Sequence, residues 1–175
     1  MSPEVKVLRA TAAETSVVAN MMQLYIHDFS EFWFDQPQGD VEANGLYALP
    51  DNLQSYWDDP DRVALLVKLT GTIVGFALLN VHAHSGKPVD WNMGEFFILR
   101  KYRRAGIGTA AAQVIFADFP GRWETAVARR NVGAQIFWQR LAEDHGAFEG
   151  LDLRTTEWNG PIFRFTVAPA KGPSS

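Results

Sequence analysis

Cysteine is absent from this 175-residue chain. That excludes a disulfide framework, a thiolate nucleophile and a cysteine-based zinc site, and it fits a reducing compartment. No apolar run approaches the roughly 20 residues of a membrane span. The opening MSPEVKVLRA lacks the basic, then apolar, then small-residue order of a secretory leader, so a soluble cytoplasmic protein is expected. Nor is there a basic surplus: 16 Lys and Arg stand against 20 Asp and Glu, for a formal charge of −4, which argues against a general nucleic-acid surface. Repeats, internal linkers and low-complexity stretches are missing apart from the tail Pro169 to Ser175, read as a flexible end. No His and carboxylate spacing suggests a metal site, so no metal is expected. What is present is an ordinary globular composition and enough chain for one cored domain, residues 1–168.

Basic residues are few but locally concentrated. The stretch from Gly94 to Ala112, GEFFILRKYRRAGIGTAAA, places an acid and an apolar run ahead of Arg100, Lys101, Arg103 and Arg104. Gly106-Ile107-Gly108 and an Ala-rich segment follow. This reads as strand, tight basic loop and helix start. The first N–H groups of a helix have no internal partner and sit at the positive end of its dipole, so such a junction favours an anion. Gly106 and Gly108 let the backbone come close to it. The surrounding cations exceed what one phosphate requires, which points to a multiply phosphorylated ligand.

The remaining elements follow from periodicity. Glu4 to Arg9 alternates as a short strand. Thr11 with Glu14 is a capping-box pair ahead of a helix carrying Val17, Val18, Met21, Met22, Leu24 and Tyr25. The aromatic, acidic segment Asp28 to Asp40 reads as a hydrophobic latch over the core. Val41 to Trp57 holds turns and a helical piece near Leu53, Tyr56 and Trp57. Arg62 to Thr70 and Ile73 to Val81 flank Gly71 as a hairpin, and Val89 to Leu99 is the strand that reaches the basic loop. Gly106 to Phe119 is a helix stopped by Pro120-Gly121, Trp123 to Ala128 a strand, and Asn131 to Leu141 a helix. Phe148 to Thr156 and Ile162 to Val167 flank Asn159-Gly160, a hairpin-turn dipeptide.

RRAGIG, with Arg103, Gly106 and Gly108 in the spacing RxxGxG, resembles the acyl-CoA-binding motif of the GNAT superfamily of N-acetyltransferases. The element order resembles that family over nearly the whole chain. The segment NVGAQIFW is similar to the family's NxxAxxFY, supplying Asn131, Ala134, Phe137 and Trp138. The resemblance implies an α/β (α+β) fold: a mixed, mostly antiparallel sheet of about seven strands, splayed around an acetyl-CoA cleft, with helices on both faces. It implies that the loop amides of Arg103, Arg104, Ala105, Gly106, Ile107, Gly108 and Thr109 hold the pyrophosphate. Asn131, Phe137 and Trp138 would border the pantetheine, and strand N–H groups near Ile98 and Leu99 the reacting carbonyl. Asn131 reads equally well as a plain helix cap, and Phe137 and Trp138 as core. Trp138 stands where the family commonly has Tyr, and an indole N–H is no general acid near neutral pH.

Transfer to an amine requires that the amine lose a proton, so a base is useful. Glu95 is the candidate, because partial burial can raise a carboxyl toward neutrality; an edge Glu paired with an Arg is the plainer reading. Asp90 and Asn92 are polar positions on the same strand, and His27 and Asp28 on the first helix reach the acceptor cleft if that helix borders it. His82 and His84, in a loop bounded by Gly and Pro, read as exposed. The implied reaction is acetyl transfer from acetyl-CoA to an amine of a small molecule or peptide, with no nucleic acid or membrane partner and a homodimer left open. Two other readings stand beside it. GIGTAA also satisfies the GxGxxA form of a dinucleotide fingerprint, and loss of the Tyr would suit a domain that binds acyl-CoA without turning it over.

Overall fold

Thr70 and Gly71 take φ of 49° and 85°, the left-handed pair that suits a two-residue hairpin, and join two strands of nearly continuous apolar sequence. A computed structural model describes residues 4–34, 36 and 38–170. Most of the expected tail, residues 169–175, lies outside them. The strands are β1 (Val5–Arg9), β2 (Val63–Leu69), β3 (Thr72–Asn80), β4 (Trp91–Ile98), β5 (Gly121–Ala126), β6 (Glu149–Arg154) and β7 (Asn159–Val167). They form one sheet in the order β1-β2-β3-β4-β5-β7-β6. Every neighbouring pair is antiparallel except β4 with β5. Those two run parallel, and their pairing consists of Trp91 opposite Trp123 and Asn92 opposite Glu124. Beyond that point they separate, so the expected splayed, mostly antiparallel seven-stranded sheet is what forms.

Helices cover both faces. On one, Val18 and Met22 of α1 (Thr15–Ser30) and Tyr56 of α2 (Ser55–Asp58) pack with Leu66, Phe76 and Phe97. On the other, Ile115 and Phe116 of α3 (Ile107–Asp118) and Leu141 of α4 (Val132–Asp144) pack with Met93, Trp123 and Phe165. The caps read from the sequence are in place. The Glu14 carboxylate accepts the Thr11 N–H at 2.9 Å on the 3₁₀ turn Ala12–Glu14 that leads into α1. Asn131 Oδ1 accepts the Ala134 N–H at 3.1 Å and starts α4.

Two local readings are corrected. Asn159-Gly160 is not a turn: Arg154 faces Asn159 and Leu153 faces Gly160 in the β6–β7 ladder, and the chain turns at 155–158, where the Thr155 N–H donates to the Trp158 carbonyl at 2.9 Å. Gly160 answers a long-range demand instead, since a Cβ there would lie 2.0 Å from the Val127 carbonyl. The aromatic segment after α1 is not simply a latch. Phe34 is 95% exposed, while Phe29 and Trp33 line the opening described next.

Candidate active site

Side chains alternate across a strand, so in a regular β4 Met93 and Glu95 would share a face. They do not. Leu78 faces Glu95 and Leu79 faces Met93, which leaves Gly94 without an opposite residue, a β-bulge. Met93 packs beneath α3 and α4, whereas Glu95 is carried to the α1 face, where its carboxyl meets the Tyr25 hydroxyl. A Cβ on Gly94 would sit 2.7 Å from Asn80 Nδ2 and 3.1 Å from the Leu78 carbonyl, so glycine is needed at the bulge. Burial pushes the Glu95 carboxyl up to about 7, against a smaller opposite pull from the hydrogen bond of Tyr25. The Tyr25 hydroxyl is itself raised well above the usual phenol range, first by burial and then by Glu95.

The backbone of the split is aimed into it. The Leu99 N–H donates to the Val74 carbonyl at 2.8 Å, so Leu99, expected beside Ile98 as a donor to the reacting carbonyl, is already engaged. Groups facing one neighbour alternate along an antiparallel strand, and the N–H groups of Phe96 and Ile98 therefore point away from β3 toward the gap. The Ile98 carbonyl on that side accepts Arg103 Nε at 2.7 Å.

The basic loop is wound by a 3₁₀ turn at Arg100–Tyr102 and by positive φ at Arg104 (61°) and Gly106 (76°). It delivers the N-terminus of α3 to a cleft of about 750 Å³. The N–H groups of Ile107, Gly108 and Thr109 lie in that first turn, where a helix supplies no acceptor. Ala105 is exposed and the Ile107 side chain is buried with Val74 and Ile98, so these two residues offer backbone alone. Arg103 is held on three sides, by the Ile98 carbonyl, by Asp28, and by the Phe97 ring 5.2 Å below its guanidinium. Asp28 also takes Arg100 at 2.7 Å. Asp28, expected to face an acceptor, is thus tied to the arginines of the basic loop. On the opposite wall Asn131 keeps its capping role and still lines the cleft. Phe137 stacks on Phe96 at 5.9 Å, and Trp138, 7% exposed, meets the same ring edge-on at 5.2 Å.

A second cavity of about 610 Å³ adjoins the first and shares Tyr25, Phe29, Phe96, Asn131, Ala134 and Trp138 with it. Glu95 lines this second cavity and a third of about 380 Å³, where Asn92 lies. Asn92 is 2% exposed; its amide donates to Asn80 Oδ1 at 3.0 Å, and its own Oδ1 has no partner among the described residues. Two expected acceptor residues stand apart. His27 is exposed and its Nδ1 lies 2.9 Å from the Tyr47 hydroxyl, outside the lining of all three cavities. Asp90 is paired with Arg122 through two contacts of 3.0 Å, which hold its carboxyl down at about 2, and it too lines none of them.

Other lining residues had no sequence signal. Tyr25 reads from the helical period as core. His84, read as exposed, is half-buried, and its ring lies 4.4 Å from that of Trp158. Its loop is pinned by an ion pair within the protein: Glu124, 0% exposed, accepts from Arg164 at 2.7 Å and from the Ser85 N–H at 3.2 Å, and Arg164 reaches the Pro88 carbonyl at 3.1 Å. Burial sets the His84 imidazole below its ordinary range, so it is neutral near pH 7.

Comparison with known proteins agrees with this architecture. The sequence model of the acetyltransferase (GNAT) family matches residues 18–142. Similar solved structures include an acetyltransferase from Thermus thermophilus, 15% identical over 93% of this chain and 96% of that one, with a TM-score of 0.65. Diaminobutyrate acetyltransferase from Paenibacillus lautus, in complex with L-2,4-diaminobutyric acid and coenzyme A, is 17% identical over 95% and 96%, with a TM-score of 0.59. The PaiA N-acetyltransferase from Thermoplasma acidophilum, in complex with coenzyme A, is 13% identical over 93% and 99%, with a TM-score of 0.56. At these identities the likeness is one of fold. No curated protein matches the chain in sequence. Because the family match spans well over half of the residues and the sheet opens as described, the chain belongs to the GNAT acetyltransferase family.

Proposed function

We propose that the protein is an acetyl-CoA-dependent N-acetyltransferase that moves an acetyl group to a primary amine by direct attack. The observation that carries this reading is the split between β4 and β5, which joins a cationic helix N-terminus on one side to a buried carboxyl poised near 7 on the other. The coenzyme A complexes among similar folds support the donor. The residues present fit it: first-turn N–H groups of α3 and the Arg104 guanidinium suit a pyrophosphate, Arg103 holds the loop in shape, and Asn131, Phe137 and Trp138 form a wall for the pantetheine arm. Glu95 takes the proton of the incoming ammonium, directly or through a water, and the N–H groups of Ile98 and Phe96 are placed to stabilise negative charge on the carbonyl oxygen. With an indole at position 138 the departing thiolate takes its proton from water, which a thiol of pKa about 8.5 tolerates.

Trp138 favours one other reading, a domain that binds acyl-CoA without turnover; the raised carboxyl of Glu95 speaks against it. Glu124, the acid a dinucleotide site would need on the next strand, is held by Arg164. Calorimetric titration with acetyl-CoA, coenzyme A and NAD separates the three. Acetyl-CoA is expected to bind and to weaken about tenfold or more in the Arg103→Ala/Arg104→Ala variant, with thiol release on addition of amines. Binding of NAD in place of either CoA form would overturn the assignment, and binding without thiol release across amines would favour the non-catalytic reading.

A further inference from the structure

The two main cavities differ in their cations. The cleft beside α3 holds Arg103, Arg104 and Arg130 together with Asp28 and Glu31, Asp28 being already paired with Arg100 and Arg103. The 610 Å³ cavity on the other side of the split has neither Lys nor Arg among its described lining residues, and its ionisable carboxyls are Asp40 and Glu95. His84 is also there, but burial disfavours its cationic form. The walls between are mainly rings and aliphatic chains: Phe29, Trp33, Tyr47 and Trp158 stand around Met22 and Val127.

A ligand carboxylate brought into such a cavity would lose hydration and find no Lys or Arg among the described lining residues, while exposed Asp40 and the ionised fraction of Glu95 repelled it. Arg62, in the adjoining third cavity, is already paired with Asp59 at 3.6 Å. An ammonium finds the opposite: two acids and the negative faces of several rings. An apolar or aromatic body gains from burial against the walls, and the volume is that of a small-molecule site. We infer that the acceptor is a small, apolar-bodied amine without a carboxylate, of the arylalkylamine type. Free amino acids, diaminobutyric acid among them, are disfavoured by charge. This rests on the acetyltransferase reading for the reaction, but the recognition itself is a property of the cavity and is measurable without acetyl-CoA.

The test uses matched pairs that differ by the carboxylate alone: phenethylamine against phenylalanine, and tryptamine against tryptophan, with the dipeptide Ala-Phe amide as a peptide amine. Calorimetry on the protein alone is expected to show each amine binding at least tenfold more tightly than its amino acid. Thiol release with acetyl-CoA is expected to show the same order in kcat/KM. A variant supplies the converse. Gln38 lines the cavity, and Gln38→Arg, which places a guanidinium there, is expected to close most of the gap by improving phenylalanine. Equal or tighter binding of the amino acids by the parent protein overturns the inference, and so does a preference for Ala-Phe amide over phenethylamine. If the amines bind selectively but no thiol is released, the cavity assignment stands and the transferase reading fails. If acetyl-CoA is turned over with amino acids, the reverse holds.

Discussion

Glu95 is a carboxyl made weakly acidic by where it sits. Its folded pKa of about 7 lies above the ordinary 4.5, so between those values the folded protein binds a proton that the unfolded chain has released. Stability therefore falls as pH rises through that window. Glu95→Gln removes the penalty and is expected to leave the protein more stable than the parent above pH 7, by at most about 3 kcal/mol, and no different below pH 4. The same variant is expected to lower kcat by about 10²–10⁴-fold while acetyl-CoA binding, read by calorimetry, is unchanged. Tyr25→Phe gives the opposite kind of change. The Tyr25 hydrogen bond pulls the Glu95 carboxyl downward, so its loss is expected to move the ascending limb of the pH–rate profile to higher pH and to leave the high-pH plateau nearly intact. A limb that stays in place would remove Tyr25 from the tuning of Glu95.

At the scale of the element, two glycines fourteen residues apart have different reasons to exist. A Cβ at Gly94 meets Asn80 Nδ2 at 2.7 Å, whereas one at Gly108 meets the Phe137 ring at an ordinary 3.6 Å. Gly94→Ala is expected to cost about 1–3 kcal/mol in chemical denaturation and to lower kcat, because the bulge that carries Glu95 across the sheet is disturbed. Gly108→Ala is expected to keep stability and to weaken acetyl-CoA binding by crowding the mouth of α3. The contrast marks what was legible beforehand. The basic loop, its glycines and the helix caps were readable because cause and effect lie within a few residues of each other. The face occupied by Glu95 was not, since one unpaired residue in a strand has no local signature. The pairing of Asp28 was not legible because its partners, Arg100 and Arg103, are more than seventy positions away. Gly160 was read as a turn when its reason is the Val127 carbonyl just past the end of β5.

Across the whole molecule, β4 and β5 meet at two residue pairs alone, so a ligand in the split bridges two portions of sheet and stabilises the folded state by mass action. At a hundredfold excess over its dissociation constant, acetyl-CoA is expected to add about 2.7 kcal/mol. For a domain of this size that raises the Tm by about 5–10 °C, as differential scanning fluorimetry would register; no shift would argue that the split is not the binding site. The same opening has a further consequence. Past Asn92 and Glu124 the facing rims of the two strands are sheet edges turned inward, and Phe96 and Ile98 present main-chain donors there with no strand opposite. Edges of this kind are what a stray strand from another copy pairs with. The aromatic wall of α4 narrows the way in, and Arg103 and Arg104 post charge beside it, as gatekeepers do. Acetyl-CoA in the split would cover both rims, so the ligand-free protein is expected to self-associate more readily than the saturated one, as light scattering with and without acetyl-CoA would show.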